Sequence, residues 1–586
     1  MLGIVAASAS VAACAVLVMA HLRHVSVPGC GAGSGCAAAA GGRLGSIPLV
    51  GWPTSIVGAA YFAGVLAGWL SGARVSRALL WAARLGAVAA VFFAGGMAGG
   101  GWFCTYCVIA HAGAVLGWVA AERSAHAGVA EKSWQPMGLA GAWVVVLGVL
   151  VAVSGGREKA AATKAEESLA RSTETMVRRP GEAEPAARMG FEGRYRRGPA
   201  AAAARVVIFT DYQCPDCKEI ERQLEGLLRE GLPIAASVKM FPLNSECNPH
   251  APAMHANACW AARAAEAAGI VGGAEAFWRM HAWLFARGGA FTDAELDAGL
   301  AAMGFPRETF LRVMTGAEVN VRIGTDVAEG MRLGIAQTPM IFINGVELKG
   351  WNAPNALDRA VRAVLAASPA AATSVADAPP DGATRFLADW RESPVRSIPE
   401  AELAHTVGPA DAPIRVVIFG DYQEPTTAEA DGLTRLYTTG ERANIRYSFV
   451  PFPVDQSCNP FTQVTAFPMA CRAALAAEAA GVLDGPEGFW RMHGWLMANR
   501  EGLTDEAMLR AAGSLGFDPA AFAEAMQQPF LQDVILANAR LGNRMGLRSI
   551  PMVFVNGKQV ARWKWENENV LGRVFLEAAE HAGHGH

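Results

Sequence analysis

The sequence predicts a multi-domain protein: an all-α transmembrane helical bundle of five spans, followed by two copies of one α/β domain with helical insertions. Three observations predict it. Residues 1–155 are nearly continuous apolar and Gly/Ala sequence, whereas the remainder has an ordinary soluble balance. Four motifs of the soluble part recur at an offset of 210 to 212 residues. Ten of the eleven cysteines form close pairs: Cys30/Cys36, Cys104/Cys107, Cys214/Cys217, Cys247/Cys259 and Cys458/Cys471. Cys14 is left over in an apolar run, where a packed small hydrophobe is expected. At 586 residues the chain exceeds what one hydrophobic core supports. Its net charge of −3, with no Lys/Arg-rich block, argues against a nucleic-acid partner.

The five apolar stretches run approximately 2–20, 53–72, 78–98, 104–121 and 137–154. Each approaches the roughly 20 residues that cross a bilayer. The first is expected to be a retained span rather than a cleaved signal, because no Lys or Arg precedes it and more spans follow. With five spans, Cys30/Cys36, Cys104/Cys107 and every soluble cysteine face one compartment. The opposite loops carry Arg74, Arg77, Arg123 and Lys132, as cytoplasmic loops do, although Arg23 and Arg43 lie in the other set. Disulfides persist outside the reducing cytosol. The expectation is therefore a multi-pass inner-membrane protein whose soluble part is periplasmic or extracytoplasmic.

The soluble part repeats itself. RVVIFTDYQCPDC at 205–217 returns as RVVIFGDYQEPTT at 415–427, and FPLNSECNP at 241–249 as FPVDQSCNP at 452–460. FWRMHAWL at 277–284 returns as FWRMHGWL at 489–496, and TPMIFINGVELKGW at 338–351 as IPMVFVNGKQVARW at 550–563. Each copy reads as a β-branched strand, a helix starting at the C-x-x-C position, a long Ala-rich helical stretch, then a Pro-led strand ending in an Asn-Gly turn. The expected boundaries are a membrane domain 1–155, a charged linker 156–198, copies at 199–366 and 411–580, a Pro/Ala-rich linker 367–410 and a His-rich tail 581–586. Both linkers read as solvated. As a coil, a linker of ~40 residues spans roughly 35 Å and supports millimolar effective concentrations.

Two C-x-x-C pairs can hold one metal. Here more than a hundred residues and a change of solvent separate them, so redox chemistry is the better reading and no metal is expected. Cys214 opens a predicted helix, where unpaired N–H groups and the helix dipole stabilise a thiolate and make a good leaving group. Asp216 between the cysteines should raise the thiol pKa and soften the oxidant. Cys247/Cys259 and Cys458/Cys471 recur in both copies, including the one with Glu424 and Thr427 in place of the redox pair. They are expected to be structural disulfides, each contributing about 3 kcal/mol by loop closure. Trp102, Phe103 and Trp118 lie near the membrane cysteines, although Trp at a membrane interface is ordinary. His581, His584 and His586 read as a disordered tail.

D-Y-Q-C-P-D-C-K after a strand, with T-P-M-I-F-I-N-G some 120 residues later, resembles the DsbA-like thioredoxin-fold oxidoreductases. Residues 1–155 resemble the bacterial vitamin K epoxide reductase (VKOR) family. That likeness lies in the loop pair Cys30/Cys36, the G-W-P-T-S-I-V-G-A-A-Y-F start of the second span, and Cys-Thr-Tyr-Cys opening the fourth. In one departure, Ala37–Ala40 and Gly41–Gly42 follow Cys36 where that family carries a polar residue.

The first resemblance implies a cis Thr338-Pro339 facing the active cysteines and positioning substrate chains. The second implies a quinone, menaquinone or ubiquinone, as electron acceptor beside Cys107, Trp102 and Phe103. Together they imply an enzyme that forms disulfides in exported proteins with reduced cysteines. Electrons would run from Cys214/Cys217 to Cys30/Cys36, to Cys104/Cys107 and into the membrane quinone pool. The rivals are a periplasmic disulfide isomerase or reductase and, for the second copy alone, a non-catalytic client-binding module. In that module, Glu424 would offer a charge to basic segments.

Overall fold

The structure, a computed structural model, describes residues 1–23, 45, 53–71, 75–99, 103–126, 128–129, 135–178, 190–367, 369–377, 379–438, 444–462 and 464–583. It divides into two compact units, Met1–Ala328 with Ala336–Pro379 and Glu329–Ile335 with Pro380–His586.

The N-terminal region is helical: α1 (Leu2–Arg23), α2 (Thr54–Leu70), α3 (Arg77–Gly99), α4 (Thr105–His126) and α5 (Gln135–Arg178). Among the described residues three helices, not the expected five, are long and apolar enough to cross a membrane: Leu2–Met19 of α1, α3 and α4. The other two fall short in apolar length. α2 has 17 residues, bounded by Pro53 and Ser71, and about 26 Å of helix is less than the ~30 Å hydrocarbon core. In α5 the apolar stretch among the described residues is Ala140–Ala152, 13 residues and too short to span. Small residues let these helices approach: Ala13 and Cys14 share a core with Ala59, Ala90, Ala110 and Ala114. At Gly113 an added Cβ would meet Ser10 Oγ at 2.0 Å. Arg84 forks onto Glu122 at 2.7 and 3.1 Å, tying α3 to α4.

α5 corrects the first linker. Residues 156–178, expected as solvated coil, continue the helix. The buried positions Ala165, Leu169, Ser172 and Met176 form its packed stripe. Ser172 Oγ donates to Lys349 O at 3.1 Å, and Arg359 donates to both oxygens of Glu166 at 3.0 and 2.9 Å. Two of the four stripe positions are small or polar, so the sequence shows little apolar periodicity there. Residues 190–198 also belong to the first α/β domain. Phe191 and Tyr195 are buried, and Arg194 bridges Glu266 and Asp326 at 3.2 and 2.9 Å.

That domain contains β1 (Ala204–Thr210), α6 (Pro215–Arg229), β2 (Ile234–Met240), an insertion of α7 (Ala258–Ala286), α8 (Asp293–Met303), α9 (Arg307–Met314) and α10 (Ala317–Arg332), then β3 (Met340–Ile343), β4 (Val346–Glu347) and α11 (Ala356–Ala366). The strand order is β2-β1-β3-β4, with β1 parallel to β2 and antiparallel to β3. The hairpin β3–β4 turns at Asn344 and Gly345, both at positive φ (51° and 76°), the conformation a two-residue type I′ turn demands.

The second unit contains α12 (Gly382–Glu392), β5 (Thr406–Val407), β6 (Ile414–Gly420), α13 (Pro425–Arg435), β7 (Ile445–Pro451), α14 (Ala470–Ala498), α15 (Asp505–Ser514), α16 (Pro519–Ala525), α17 (Pro529–Arg544), β8 (Met552–Val555), β9 (Lys558–Val560) and α18 (Val570–Gly583). Its strand order is β5-β7-β6-β8-β9. The second expected linker, 367–410, is largely folded. Ala202 and Ala372 exchange backbone hydrogen bonds at 3.0 and 3.1 Å, and Arg205 grips Asp377 with two bonds of 2.7 Å. α12 is capped by Asp381, which accepts from Thr384 N at 2.7 Å, and sends Phe386 and Trp390 into the second core. Its Ala, Pro and Ser composition hid these two anchors.

Candidate functional site

β1 ends at Thr210, and Asp211 folds the chain into the turn that starts α6. Cys214 N–H donates to Asp211 O at 3.1 Å, and the Asp211 carboxylate accepts from Gln213 N and Leu243 N, both at 2.7 Å. Cys214 is then the N-cap of α6, with Pro215 as first helical residue, the position where a missing N–H is harmless. Its sulfur accepts from Cys217 N at 3.5 Å and donates to Thr338 O at 3.5 Å. The Thr338-Pro339 peptide is cis. Cys214 and Cys217 are both buried free thiols. The Cys214 thiol is held down to about 7, chiefly because the Cys217 thiol donates to it, against burial and aided by the Cys217 N–H. Burial and the neighbouring sulfur push Cys217 well above its ordinary value. Burial also raises the Asp216 carboxyl.

Cys104 and Cys107 repeat this arrangement at the start of α4. Both are free thiols, and Cys107 N–H donates to Cys104 Sγ at 3.2 Å. Met97, Leu17, Tyr106 and Val108 pack around them. Phe103 is 69% exposed. Cys30, Cys36, Trp102, His584 and His586 lie outside the described residues. Cys247–Cys259 and Cys458–Cys471 are disulfides, closing separations of 12 and 13 residues.

In the second copy Glu424 replaces Cys214 as N-cap. Its carboxylate accepts from Thr426 N (3.0 Å), Thr427 N (2.5 Å) and both threonine hydroxyls (2.8 Å each). The carboxylate expected to offer its charge to basic segments is hydrogen-bonded along the first turn of its own helix. Ile550-Pro551 is cis, like its counterpart.

Two arrangements were not singled out in the sequence. A buried Tyr–His–carboxylate cluster underlies each site: Tyr212 OH is bonded to His281 Nδ1 (2.9 Å), and His281 Nε2 lies 3.0 Å from Glu221 without hydrogen-bond geometry, in the first copy. Its counterpart is Tyr422–His493 (3.1 Å) and His493–Asp431 (2.9 Å) in the second. The FWRMH repeat carried that signal. The other is His255, whose Nδ1 lies 2.9 Å from Asp211 Oδ2. Only an alignment of the two disulfide loops would have exposed it.

A family model described as the DSBA-like thioredoxin domain matches residues 205–362 and 430–570, together more than half of the chain. The chain belongs to the DSBA-like thioredoxin family. The first match contains the Cys214/Cys217 pair and Thr338-Pro339, while the second begins beyond Glu424 and Thr427. Among solved structures, this DSBA-like chain resembles the thiol-disulfide exchange protein alpha-DsbA2 from Wolbachia pipientis (15% identity, TM-score 0.25, 34% of this chain and 95% of that one). It also resembles BdbD from Bacillus subtilis (20%, 0.26, 32% and 97%). Curated relatives are named Na(+)/H(+) antiporter NhaA 1 of Salinispora arenicola (32% identical over 170 residues, 29% of this chain and 24% of that protein) and NhaA 3 of Salinispora tropica (29% over 172 residues, 29% and 25%). The chain spans about a quarter of the length of these two relatives.

Proposed function

We propose that this protein is a membrane-bound thiol–disulfide oxidoreductase that forms disulfide bonds in exported proteins and passes the electrons through its helical N-terminal region to a quinone. One observation carries the reading: both C-x-x-C pairs set the first sulfur before a helix, accepting the N–H of the second cysteine, at 3.5 Å for Cys214 and 3.2 Å for Cys104. A client thiolate attacks Cys214 of the Cys214–Cys217 disulfide, joins it and releases Cys217. The second client thiol then displaces Cys214, which leaves readily because its thiolate is stabilised. Net, two client thiols lose two electrons and two protons, and the cysteine pair gains them. Thr338, whose carbonyl lies beside Cys214, and Pro339 border the space for an extended client segment.

Re-oxidation runs through Cys30/Cys36 to Cys104/Cys107, as the VKOR resemblance implies. The quinone supplies a two-electron acceptor; Cys107, Trp102 and Phe103 are the residues that would face it. The apolar and aromatic side chains packed around Cys104 suit such a lipophilic ring. Purified full-length protein given a reduced peptide and menaquinone or ubiquinone tests the reading. Catalytic quinone reduction that disappears in Cys214→Ser and in Cys104→Ser is expected. One peptide oxidised per chain, with no turnover on either quinone, would remove the membrane half from the proposal.

A further inference from the structure

The two copies superimpose a working redox site on one that has lost its sulfurs, so their difference isolates what the chemistry needs. Most of the surroundings survive in both. The Asp421 turn matches that of Asp211: Asp421 accepts from Gln423 N (2.8 Å) and Val454 N (2.7 Å), and Glu424 N–H donates to Asp421 O (3.2 Å). The brace behind the turn is also common. Gln213 Oε1 accepts from Asn257 N at 2.6 Å, and Gln423 Oε1 from Met469 N at 2.7 Å. The buried Tyr–His–carboxylate cluster persists as well. Conserving these three features across a dead site marks them as supports of the fold.

His255 behaves differently. It stands four residues before Cys259, and Phe467 stands four before Cys471. The backbone confirms the match: His255 N–H donates to Leu243 O at 3.1 Å and Phe467 N–H to Val454 O at 3.5 Å. The imidazole is therefore lost in the copy that lost its cysteines, although the turn it touches forms equally well without it. The Cys247–Cys259 disulfide closes the loop that delivers this ring to Asp211, and its Nδ1–H meets Asp211 Oδ2 at 2.9 Å. Asp211 in turn accepts the N–H of Gln213, the residue next to Cys214.

We propose that His255 is a positioning residue for the thiol chemistry of Cys214: held on Asp211, it brings a positive charge to the turn that carries the sulfur and stabilises the thiolate. The inference rests on the reading of Cys214 as the exchanging thiol. The groups acting on His255 are the Asp211 carboxylate and Cys214; their attraction outweighs partial burial and raises the imidazole above its ordinary value. In the second copy, among the described residues, no imidazole faces the matching carboxyl, and burial pushes Asp421 up to about 6.

The test compares the reduced full-length protein with His255→Phe, which installs the residue the second copy accepts, and His255→Asn, which keeps a donor for Asp211 but no charge. Iodoacetamide alkylation of Cys214, read by mass spectrometry from pH 5 to 9, gives the thiolate titration. Both variants are expected to shift its midpoint upward by roughly 0.5–1 unit. In the balanced exchange of protein dithiol and oxidised glutathione for protein disulfide and two reduced glutathiones, they should move the equilibrium roughly three- to tenfold toward the protein disulfide. If His255→Phe fails to fold, His255→Asn alone decides. An unchanged midpoint and equilibrium in a folded His255→Asn protein overturn the proposal. Failure of the wild type to oxidise a dithiol peptide would sink the functional reading instead, without affecting the alkylation midpoint.

Discussion

At the scale of single residues, the same helix start is built twice with different anions. Cys214 offers a sulfur to the N–H of Cys217, and Glu424 offers two oxygens to the N–H groups of Thr426 and Thr427. Unpaired N–H groups at a helix N-terminus favour negative charge, which links the two solutions. For Cys214 this has a stability consequence. Its thiol ionises near 7 in the fold against an ordinary value of 9.0. The thiolate therefore stabilises the reduced fold fully above about pH 9, and that stabilisation is lost as pH falls through about 7. Cys217, pushed upward, stays protonated across this window. The reduced protein should gain about 1.5–2 kcal/mol between pH 6.5 and 8.5 in the first α/β domain. Hydrogen exchange of β1 and β3 measures it, and Cys214→Ser should flatten the dependence.

At the scale of elements, α5 runs as one helix from the N-terminal helical region onto the first DSBA-like domain. The contact depends on Gly350, at φ 72°, where an added Cβ would come within 2.2 Å of Ala165 O and 2.5 Å of Leu169 N. The helix backbone lies directly on this glycine. Gly350→Val combines a φ that L side chains avoid with a clash against main chain, so the helix must move. The variant is expected to expose α5 from Ala165 to Met176 and to lose about 2–3 kcal/mol of local protection. Limited trypsin digestion at Lys164 and Arg171 in the full chain reads the exposure. Unchanged cleavage would mean that this seat is not what holds the helix.

At the scale of the whole molecule, residues 156–178 of the expected coil between the N-terminal helices and the first DSBA-like domain are helix α5. Under the proposed function, intramolecular exchange then depends less on a flexible tether searching a sphere. In the proposed relay the pair Cys30/Cys36 carries the electrons between the two C-x-x-C pairs. Cys30→Ser with Cys36→Ser should leave one stoichiometric oxidation of a reduced peptide by Cys214/Cys217 and reduce quinone-coupled turnover by at least about a hundredfold. Single-turnover against steady-state kinetics separates the two. Full turnover in the double variant would show that Cys214/Cys217 exchanges with Cys104/Cys107 directly.

The sequence by itself determined the duplicated α/β domain, its two C-x-x-C-derived helix starts and the pairing of its disulfide cysteines. Those signals are local: a β-branched run, a helix-opening cysteine, an Asn-Gly turn and two cysteines a dozen residues apart all act within one or two elements. Only the tertiary structure decided what depends on partners far along the chain. The Ala165–Met176 stripe becomes a packing face only against Gly350, and Phe386 and Trp390 become core only once β8 and α18 are in place. Span number followed helix length, which Pro53 and Ser71 cut short for α2. His255 gained meaning from Asp211, 44 residues away in sequence and 2.9 Å away in space. Charge and burial act over distance in space, and sequence spacing carries no record of it.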